Sequence, residues 1–205
     1  MEIKVLPLGM IGANCYLIST ENAAVAVDIG FYSPLVDEFF ENSKQKEKLI
    51  LLTHAHFDHI GGAKIISQKH NAKIAIGLGD ADALLDGDIN LSNRFHAKIE
   101  PFSADILLND GDTLKCGDLE FKTIATPGHT IGGVSYLLGD VLFSGDTLFY
   151  ENIGRTDFPG GDFKTLENSI KKLYDLNENI TVLSGHGGES TIGHEKQFNP
   201  YVRGV

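Results

Sequence analysis

The sequence LILLTHAHFDHIGG, residues 49–62, decides how the rest of the chain can fold. Its opening apolar residues predict a buried strand, and that strand ends at a cluster of polar side chains: His54, His56, Asp58 and His59. A strand holds its end rigidly, and the loop beyond it can reach into a site. Imidazoles and a carboxylate at this density suit a divalent metal such as zinc, with iron or manganese as alternatives. A histidine-rich polar loop is the weaker interpretation, because metal binding is the usual reason to gather imidazoles.

The overall composition is typical of an ordinary globular domain with a hydrophobic core. The 205 residues are 42% hydrophobic and 22% charged, and we expect one domain covering residues 1–205. The net charge of −11 argues against nucleic acid and anionic membranes as partners, so a small-molecule substrate is expected. With only two cysteines and no signal-peptide pattern at the start, the expected location is the cytoplasm. The oligomeric state is left open.

Alternating apolar segments and turn residues predict a mixture of strands and helices. Three short strands within residues 3–27 fit an antiparallel meander, and residues 34–42 fit an amphipathic helix. Residues 60–70 predict a second helix, residues 86–103 a surface excursion without regular structure, and residues 190–203 a helix with an extended end. The pair Met10 and Ile11 lies in a glycine-flanked turn, either as a flap over a pocket or as a cap on the core.

Four further strand ends carry polar residues. Asp28 ends the third strand, where a buried carboxylate needs a partner such as a metal-bound histidine, although a simple turn is an alternative. His129, Asp146 and His186 each follow a predicted strand in a turn that contains glycine, which lets backbones approach closely. Five imidazoles and two carboxylates are too many for one four-coordinate ion and fit two ions that share a carboxylate.

At this point the sequence resembles the metallo-β-lactamase-fold hydrolases. It contains their His-x-His-x-Asp-His signature at residues 54–59, and the motifs VDIG, PGHT, SGDT and SGHG at residues 27–30, 127–130, 144–147 and 184–187 follow in family order. The resemblance implies an α/β protein with a four-layer αββα sandwich. It also implies a first metal on His54, His56 and His129, and a second on Asp58, His59 and His186. Asp146 would bridge the two ions, most simply zinc.

Within that superfamily the chain is similar to the short bacterial glyoxalase II-like branch. Asp146 stands where many true β-lactamases have cysteine, and residues 154–159, GRTDFP, resemble this branch. The resemblance implies a metal-dependent hydrolase that cleaves a thioester, such as a hydroxyacylglutathione, or a related acyl compound with a dinuclear-metal-bound hydroxide. Asp58 would orient that hydroxide. The additional C-terminal region that helps long glyoxalase II enzymes bind glutathione has no room before residue 205.

Substrate choice is expected in the loop of residues 149–162. Arg155 is the candidate for an anionic substrate group, because a guanidinium matches a carboxylate with two hydrogen bonds. Its alternative role is to tie the loop down through Asp157. Tyr150 is a second candidate for a substrate contact.

Two other functions remain open from the sequence. One is a persulfide dioxygenase-type oxidoreductase with a single iron on His54 or His56, His129 and Asp146, since that branch has a similar GRTDF stretch. The other is a metal-binding scaffold without catalysis, which would be expected to lack ligands; here every position of the motif is filled.

Overall fold

The computed structural model describes residues 1–44 and 46–203, and its first half forms a six-stranded sheet. The strands are β1 (Glu2–Leu8), β2 (Ala13–Ser19), β3 (Ala23–Val27), β4 (Glu47–Leu52), β5 (Lys73–Gly77) and β6 (Ile106–Leu108). They lie in the order β1-β2-β3-β4-β5-β6. The first three pair antiparallel, which confirms the predicted meander, and β3 to β6 pair parallel. The helices of this half are α1 (Pro34–Glu41), α2 (Phe57–Ile60) and α3 (Ala63–His70).

The second half forms another six-stranded sheet and a small hairpin. Its strands are β7 (Thr113–Cys116), β8 (Leu119–Ala125), β9 (Val134–Leu138), β10 (Val141–Gly145), β13 (Thr181–Ser184) and β14 (Ser190–Thr191), in the order β14-β13-β10-β9-β8-β7. The hairpin consists of β11 (Leu148–Phe149) and β12 (Asn152–Ile153). The helices are α4 (Phe163–Tyr174) and α5 (Ile192–Phe198), so the helix predicted in the C-terminal tail is confirmed.

Three apolar cores hold these elements together in four layers. The first core joins the outer face of the first sheet to α1 and α3, the second lies between the two sheets, and the third joins the second sheet to α4 and α5. In β4, Ile50 and Leu52 belong to the first core, whereas Leu49 and Leu51 belong to the second. Because side chains alternate along a strand, burial on both faces explains its continuous apolar run. The αββα architecture is thereby confirmed.

The helix predicted over residues 60–70 is interrupted. It is divided into α2 and α3 by Gly61 and Gly62, which pack against the chain at residues 29–31. The Gly62 N–H donates to the Ile29 carbonyl at 2.7 Å, and a Cβ on Gly62 would lie 2.7 Å from the Phe31 carbonyl oxygen. Close contact with a neighbouring backbone therefore overrides the helical pattern.

The surface excursion predicted for residues 86–103 is only partly correct. The segment lacks regular helix or strand, but Asn90, Leu91 and Ser92 are buried. The Asn90 carbonyl accepts a hydrogen bond from the Phe57 N–H at 2.9 Å, and its side chain donates to the Ala83 carbonyl at 2.9 Å. These bonds fold the centre of the segment against the start of α2.

Within the described ranges, no helix has the length and apolar character needed to cross a membrane.

The core between the sheets provides a test of this architecture. Phe121 of β8 is fully buried there, whereas Phe163, the first residue of α4, is 47% exposed. Replacing Phe121 with Ala leaves a cavity and should lower the free energy of unfolding by about 3–5 kcal/mol. The matched variant Phe163→Ala should change it by less than about 0.5 kcal/mol. Urea unfolding measures both, and equal losses would contradict the assigned core.

Candidate metal centre

The predicted site residues meet at one edge of the two sheets. His54 and His56 follow β4, and Asp58 and His59 lie in α2 directly after them. The other three follow the ends of β8, β10 and β13: His129, Asp146 and His186. These three strands run in the same direction, because β8 and β10 both pair antiparallel with β9 while β13 is parallel to β10. Their carboxyl ends therefore reach the same edge.

A first group consists of His54, His56 and His129. One ring nitrogen from each lies within 4.8 Å of the others, and all three side chains are buried. His56 Nδ1 is 2.9 Å from His129 Nε2. Three imidazole nitrogens converging on one point are a common ligand set for a divalent ion such as zinc.

A second group consists of Asp58, His59 and His186. His186 Nε2 lies 3.3 Å from Asp58 Oδ2 and 3.4 Å from His59 Nε2. His59 Nε2 and Asp58 Oδ2 are 3.7 Å apart. Two imidazoles and one carboxylate again converge within ligand distance of a common point.

Asp146 lies between the two groups. Its Oδ2 is 3.5 Å from His129 Nε2 in the first group and 3.6 Å from His186 Nε2 in the second. Its Oδ1 is 3.5 Å from His59 Nε2. The structure thus brings together all seven predicted ligands, with one carboxylate shared.

The donor atoms fit divalent cations. Ligands bonded to a tetrahedral ion at 2.0–2.1 Å are separated by about 3.3 Å, close to the separations in the second group. His54 Nε2 and Asp146 Oδ1 are buried and have no hydrogen-bond partner within the described part of the chain. Buried polar atoms normally have partners, so a cation between these groups would supply the missing interactions.

Asp28 supports histidines of both groups. Its Oδ2 accepts a hydrogen bond from His59 Nδ1 at 3.0 Å and another from the Thr53 hydroxyl at 2.7 Å. The Thr53 oxygen is in turn 3.1 Å from His54 Nδ1. With Nδ1 acting as the donor, Nε2 is the ring nitrogen of His54 and His59 that faces the centre and would bind a metal in its unprotonated form. Asp28 has φ of +54°, so a strained backbone directs its carboxylate inward.

Two backbone approaches explain the glycines near the site. A Cβ on Gly185 would lie 2.1 Å from Asp146 Oδ1, and one on Gly30 would lie 1.8 Å from the Asp58 carbonyl oxygen. Any larger residue would displace the segments that position two of the carboxylates.

Sequence reasoning missed Asp80, which joins the two loops of the first group. Its Oδ2 accepts hydrogen bonds from the Ala55 N–H at 3.0 Å and the Thr130 hydroxyl at 2.8 Å, and its Oδ1 accepts one from the Gly132 N–H at 2.7 Å. Burial raises its pKa, and these hydrogen bonds oppose the rise. The available signal was its position after β5 in the sequence GLGD, which resembles the other carboxylates at strand ends.

A second missed pair fixes the His186 loop. The Asn14 side chain donates to the carbonyls of Ser184 and Gly187, both at 3.0 Å, and the Tyr16 hydroxyl donates to Ser184 at 2.6 Å. No local pattern indicated this contact, because β2 and β13 belong to different sheets.

The two groups differ in their electrostatics. Burial lowers the pKa of His56 to about 3, and burial with the neighbouring His59 charge lowers that of His54 well below its usual value. For His59, burial is outweighed by the carboxylates of Asp146 and Asp58, which raise its pKa to about 10. Burial of His186 is likewise outweighed by the Asp58 hydrogen bond, so its pKa is raised. His54 and His56 are therefore uncharged at neutral pH, whereas His59 holds a proton.

An open cavity of about 390 Å³ is lined by five of the seven candidate ligands, namely His56, Asp58, His129, Asp146 and His186. Ile11 lines it, while Met10 beside it is fully exposed, which favours the flap over the core-capping interpretation of this turn. Arg155 also lines the cavity, but its Nε and Nη2 donate to the two Asp157 oxygens, each at 2.6 Å. This geometry favours the loop-tying role for Arg155, whose carbonyl also accepts from His129 Nδ1 at 2.7 Å.

Tyr150 does not line this cavity in the conformation described. Its side chain is 53% exposed, and its ring stacks on His194 with centroids 5.0 Å apart. A substrate contact by Tyr150 stays a prediction.

Comparison with known proteins agrees with this centre. A family model described as the metallo-beta-lactamase superfamily matches residues 8–186. The chain belongs to the metallo-beta-lactamase superfamily. It is 35% identical to a probable metallo-hydrolase, YqgX, of Bacillus subtilis, covering 100% of this chain and 99% of that protein. It is 36% identical to the hydroxyacylglutathione hydrolase GloC of Haemophilus influenzae, covering 98% of each.

Solved structures of the superfamily superpose on the whole chain. The BLEG-1 B3 metallo-beta-lactamase has a TM-score of 0.91 at 37% identity, covering 98% of this chain and 99% of that one. A protein in a di-iron-bound form has a TM-score of 0.86 at 30% identity, covering 97% and 100%. ETHE1 from Myxococcus xanthus has a TM-score of 0.81 at 28% identity, covering 100% and 85%. The fold and a divalent metal centre are shared features, whereas the substrates differ among these relatives.

The unequal pKa values of the histidines predict at which group metal binding displaces protons from the protein. A metal ligand must be unprotonated, so binding at the second group at pH 7.5 must displace the proton of His59, while His54 and His56 have none to lose. Affinity at the second group should therefore rise with pH up to about 10, and it should rise more steeply than affinity at the first group. Calorimetry of the metal-free protein in buffers of different ionisation enthalpy measures the protons released. Equal release for both ions would contradict this assignment.

The hydrogen bonds of Asp28 predict how its replacement by asparagine should affect metal binding. Each Asp28 oxygen accepts a hydrogen bond from an N–H or O–H group, so the NH₂ of Asn must face a donor. Asp28→Asn should weaken metal binding by about 10–100-fold. The control Asp140→Asn, in an exposed turn, should bind metal normally. Competition with a chromogenic chelator measures both, and unchanged affinity in Asp28→Asn would refute the supporting role.

Proposed function

We propose that the protein is a metal-dependent hydrolase of thioesters, similar to glyoxalase II and its short bacterial relatives. The observation that carries the proposal is the shared position of Asp146 between two nitrogen- and oxygen-bearing groups at the floor of a cavity. The similarity to the hydroxyacylglutathione hydrolase GloC along nearly the full length of both chains supports the thioester class.

In this proposal His54, His56 and His129 hold one divalent ion. Asp58, His59 and His186 would hold the other, and Asp146, which lies between the two groups, would be available to both. Zinc suits this set of imidazole and carboxylate ligands, and iron or manganese would also be accepted. When bound, such a pair lowers the pKa of water toward neutrality and polarises a carbonyl group.

The protein's own residues would place the reactants. Burial raises the pKa of Asp58, but the neighbouring His59 and His186 outweigh it, so its pKa is lowered and the carboxylate stays ionised. Asp58 borders the cavity and can accept a hydrogen bond from the attacking water, directing its oxygen toward the acyl carbon. The carbon–sulfur bond breaks with its electron pair leaving on sulfur, and the products are a carboxylic acid and a thiol.

The outer hydrogen bonds would keep this arrangement rigid. Asp28 and Asp80 each hold two segments that contribute ligands, and the Arg155 carbonyl orients His129. Because catalysis is sensitive to errors in position of well under 1 Å, we assign these residues to positioning rather than to the reaction.

A second candidate is the persulfide dioxygenase-type oxidoreductase with a single iron. The structural similarity to ETHE1 favours it. The second group argues against it, because Asp58, His59 and His186 form a further ligand set that a single iron at His54 or His56, His129 and Asp146 would leave unused.

Removal of the shared carboxylate tests the proposal. Asp146→Ala should lose bound metal and reduce thioester hydrolysis at least about 100-fold, because both ions lose a ligand. The control Asp140→Ala should retain both. Metal content is measured by mass spectrometry, and hydrolysis of lactoylglutathione and simple acyl thioesters by thiol release with and without chelator.

Two results would overturn the assignment. Full activity of Asp146→Ala would exclude the two-metal centre. Oxygen consumption with glutathione persulfide, in the absence of any thioester hydrolysis, would favour the oxidoreductase instead.

A further inference from the structure

The cavity over the metal centre has apolar walls. Apart from the ligand side chains at its floor and Arg155, all of its lining residues are aromatic or aliphatic: Ile11, Phe57, Leu91, Phe95, Phe149, Ile153 and Phe158. Its volume of about 390 Å³ lies within the range of small-molecule sites. The part of a substrate that extends beyond the reacting carbonyl must therefore contact hydrocarbon surface.

Aromatic rings flank the centre on both of its groups. Phe57 and Phe95 stack with centroids 4.8 Å apart, and Phe95 meets Phe158 edge to face at 6.3 Å. Phe158 continues this row to His56 of the first group at 5.8 Å. On the second group, Phe149 lies 6.1 Å from His186. A bound acyl group that extends away from the metal ligands would therefore lie between aromatic side chains.

Among the described residues that line the wall, Arg155 is the one lysine or arginine, and its charge is already paired. The Arg155 guanidinium makes two hydrogen bonds to Asp157 and lies over the Phe158 ring at 4.0 Å. A substrate carboxylate could use only the guanidinium N–H groups that Asp157 leaves free, and it would lie beside the negative charge of Asp157. Repulsion from Asp157 would offset much of its attraction to Arg155. Arg94 also lies over Phe158, at 5.2 Å, but it is not among the residues that line the cavity.

From these walls we propose that the preferred substrate is a thioester with an apolar acyl group, either an alkyl chain or an aryl group. This inference rests on the proposed thioester hydrolysis and specifies its substrate class. The acyl chain occupies the aromatic cavity and the thiol portion points to its mouth. An anionic peptide thiol such as glutathione is not required for recognition, because the walls offer it no unpaired cation.

A series of thioesters that share one uncharged thiol tests this inference. With N-acetylcysteamine thioesters of acetate, butanoate, hexanoate and octanoate, kcat/KM of the metal-loaded enzyme should rise about two- to fourfold per added methylene until the cavity is filled. Phenylacetyl thioester should exceed lactoyl thioester. A flat series, or a preference for lactoylglutathione over every apolar thioester, would overturn the inference.

Phe95 allows a matched pair of variants. It lines the cavity and is 45% exposed, so its truncation should not prevent folding, and Phe163 is 47% exposed but lies outside the lining. Phe95→Ala should reduce the gain per methylene by at least half. Phe163→Ala should leave it unchanged. The same loss in both variants would contradict a role of the cavity.

A binding measurement separates this inference from the proposed reaction. Butanoate, hexanoate and octanoate, the carboxylate products, should bind the metal-loaded protein with Kd falling along the series, and Phe95→Ala should flatten the trend. If no thioester is hydrolysed, the proposed function fails, and the binding series alone decides the cavity's preference. Chain-length-independent binding would reject the apolar site.

Discussion

The gathering of seven candidate metal ligands at a largely buried point is the constraint on which this structure depends. Five imidazoles and two carboxylates converge at one edge of the sheets, and most of them are buried. Burying such groups is unfavourable unless each polar atom has a partner. Within the described residues, outer hydrogen bonds satisfy the far sides of His54, His59 and His129, whereas His54 Nε2 and Asp146 Oδ1, which face the centre, lack partners. The fold therefore places unpaired acceptor atoms at one point, where a bound cation would stabilise them.

The supporting carboxylates meet this constraint from outside. Asp28 links the end of β3 to histidines of both groups, and Asp80 links the loop after β4 to the loop after β8. Each joins segments distant in the chain through short hydrogen bonds at buried positions. The rigidity needed for two adjacent ions is therefore distributed over both sheets, and the glycines at the site allow the backbones to approach closely enough.

The same centre has walls of a different character from its floor. The floor consists of charged and polar ligands, while the walls consist of aromatic and aliphatic side chains from the flap turn, α2, the irregular segment after β5, and the loop of residues 149–162. Water exclusion by such walls strengthens electrostatic interactions at the floor. In the proposed function the two regions would have different tasks: the floor would define the chemistry and the walls would select the substrate.

The sequence by itself indicated the seven candidate ligands, and its resemblance to a known family implied the fold class. Strong strand patterns ended at unusual polar residues, and both signals are local, so they survive without tertiary information. Other features depended on contacts between segments that are remote in the chain. They are the helix break at Gly61 and Gly62, the buried centre of residues 86–103, and the roles of Asp80 and Asn14. Likewise, only the tertiary structure showed that Arg155 pairs with Asp157 and that the cavity is lined by phenylalanines from three segments. Ligand identity follows from residue chemistry, which a sequence states directly, whereas hydrogen-bond partners and cavity walls follow from proximity, which arises only when the chain folds.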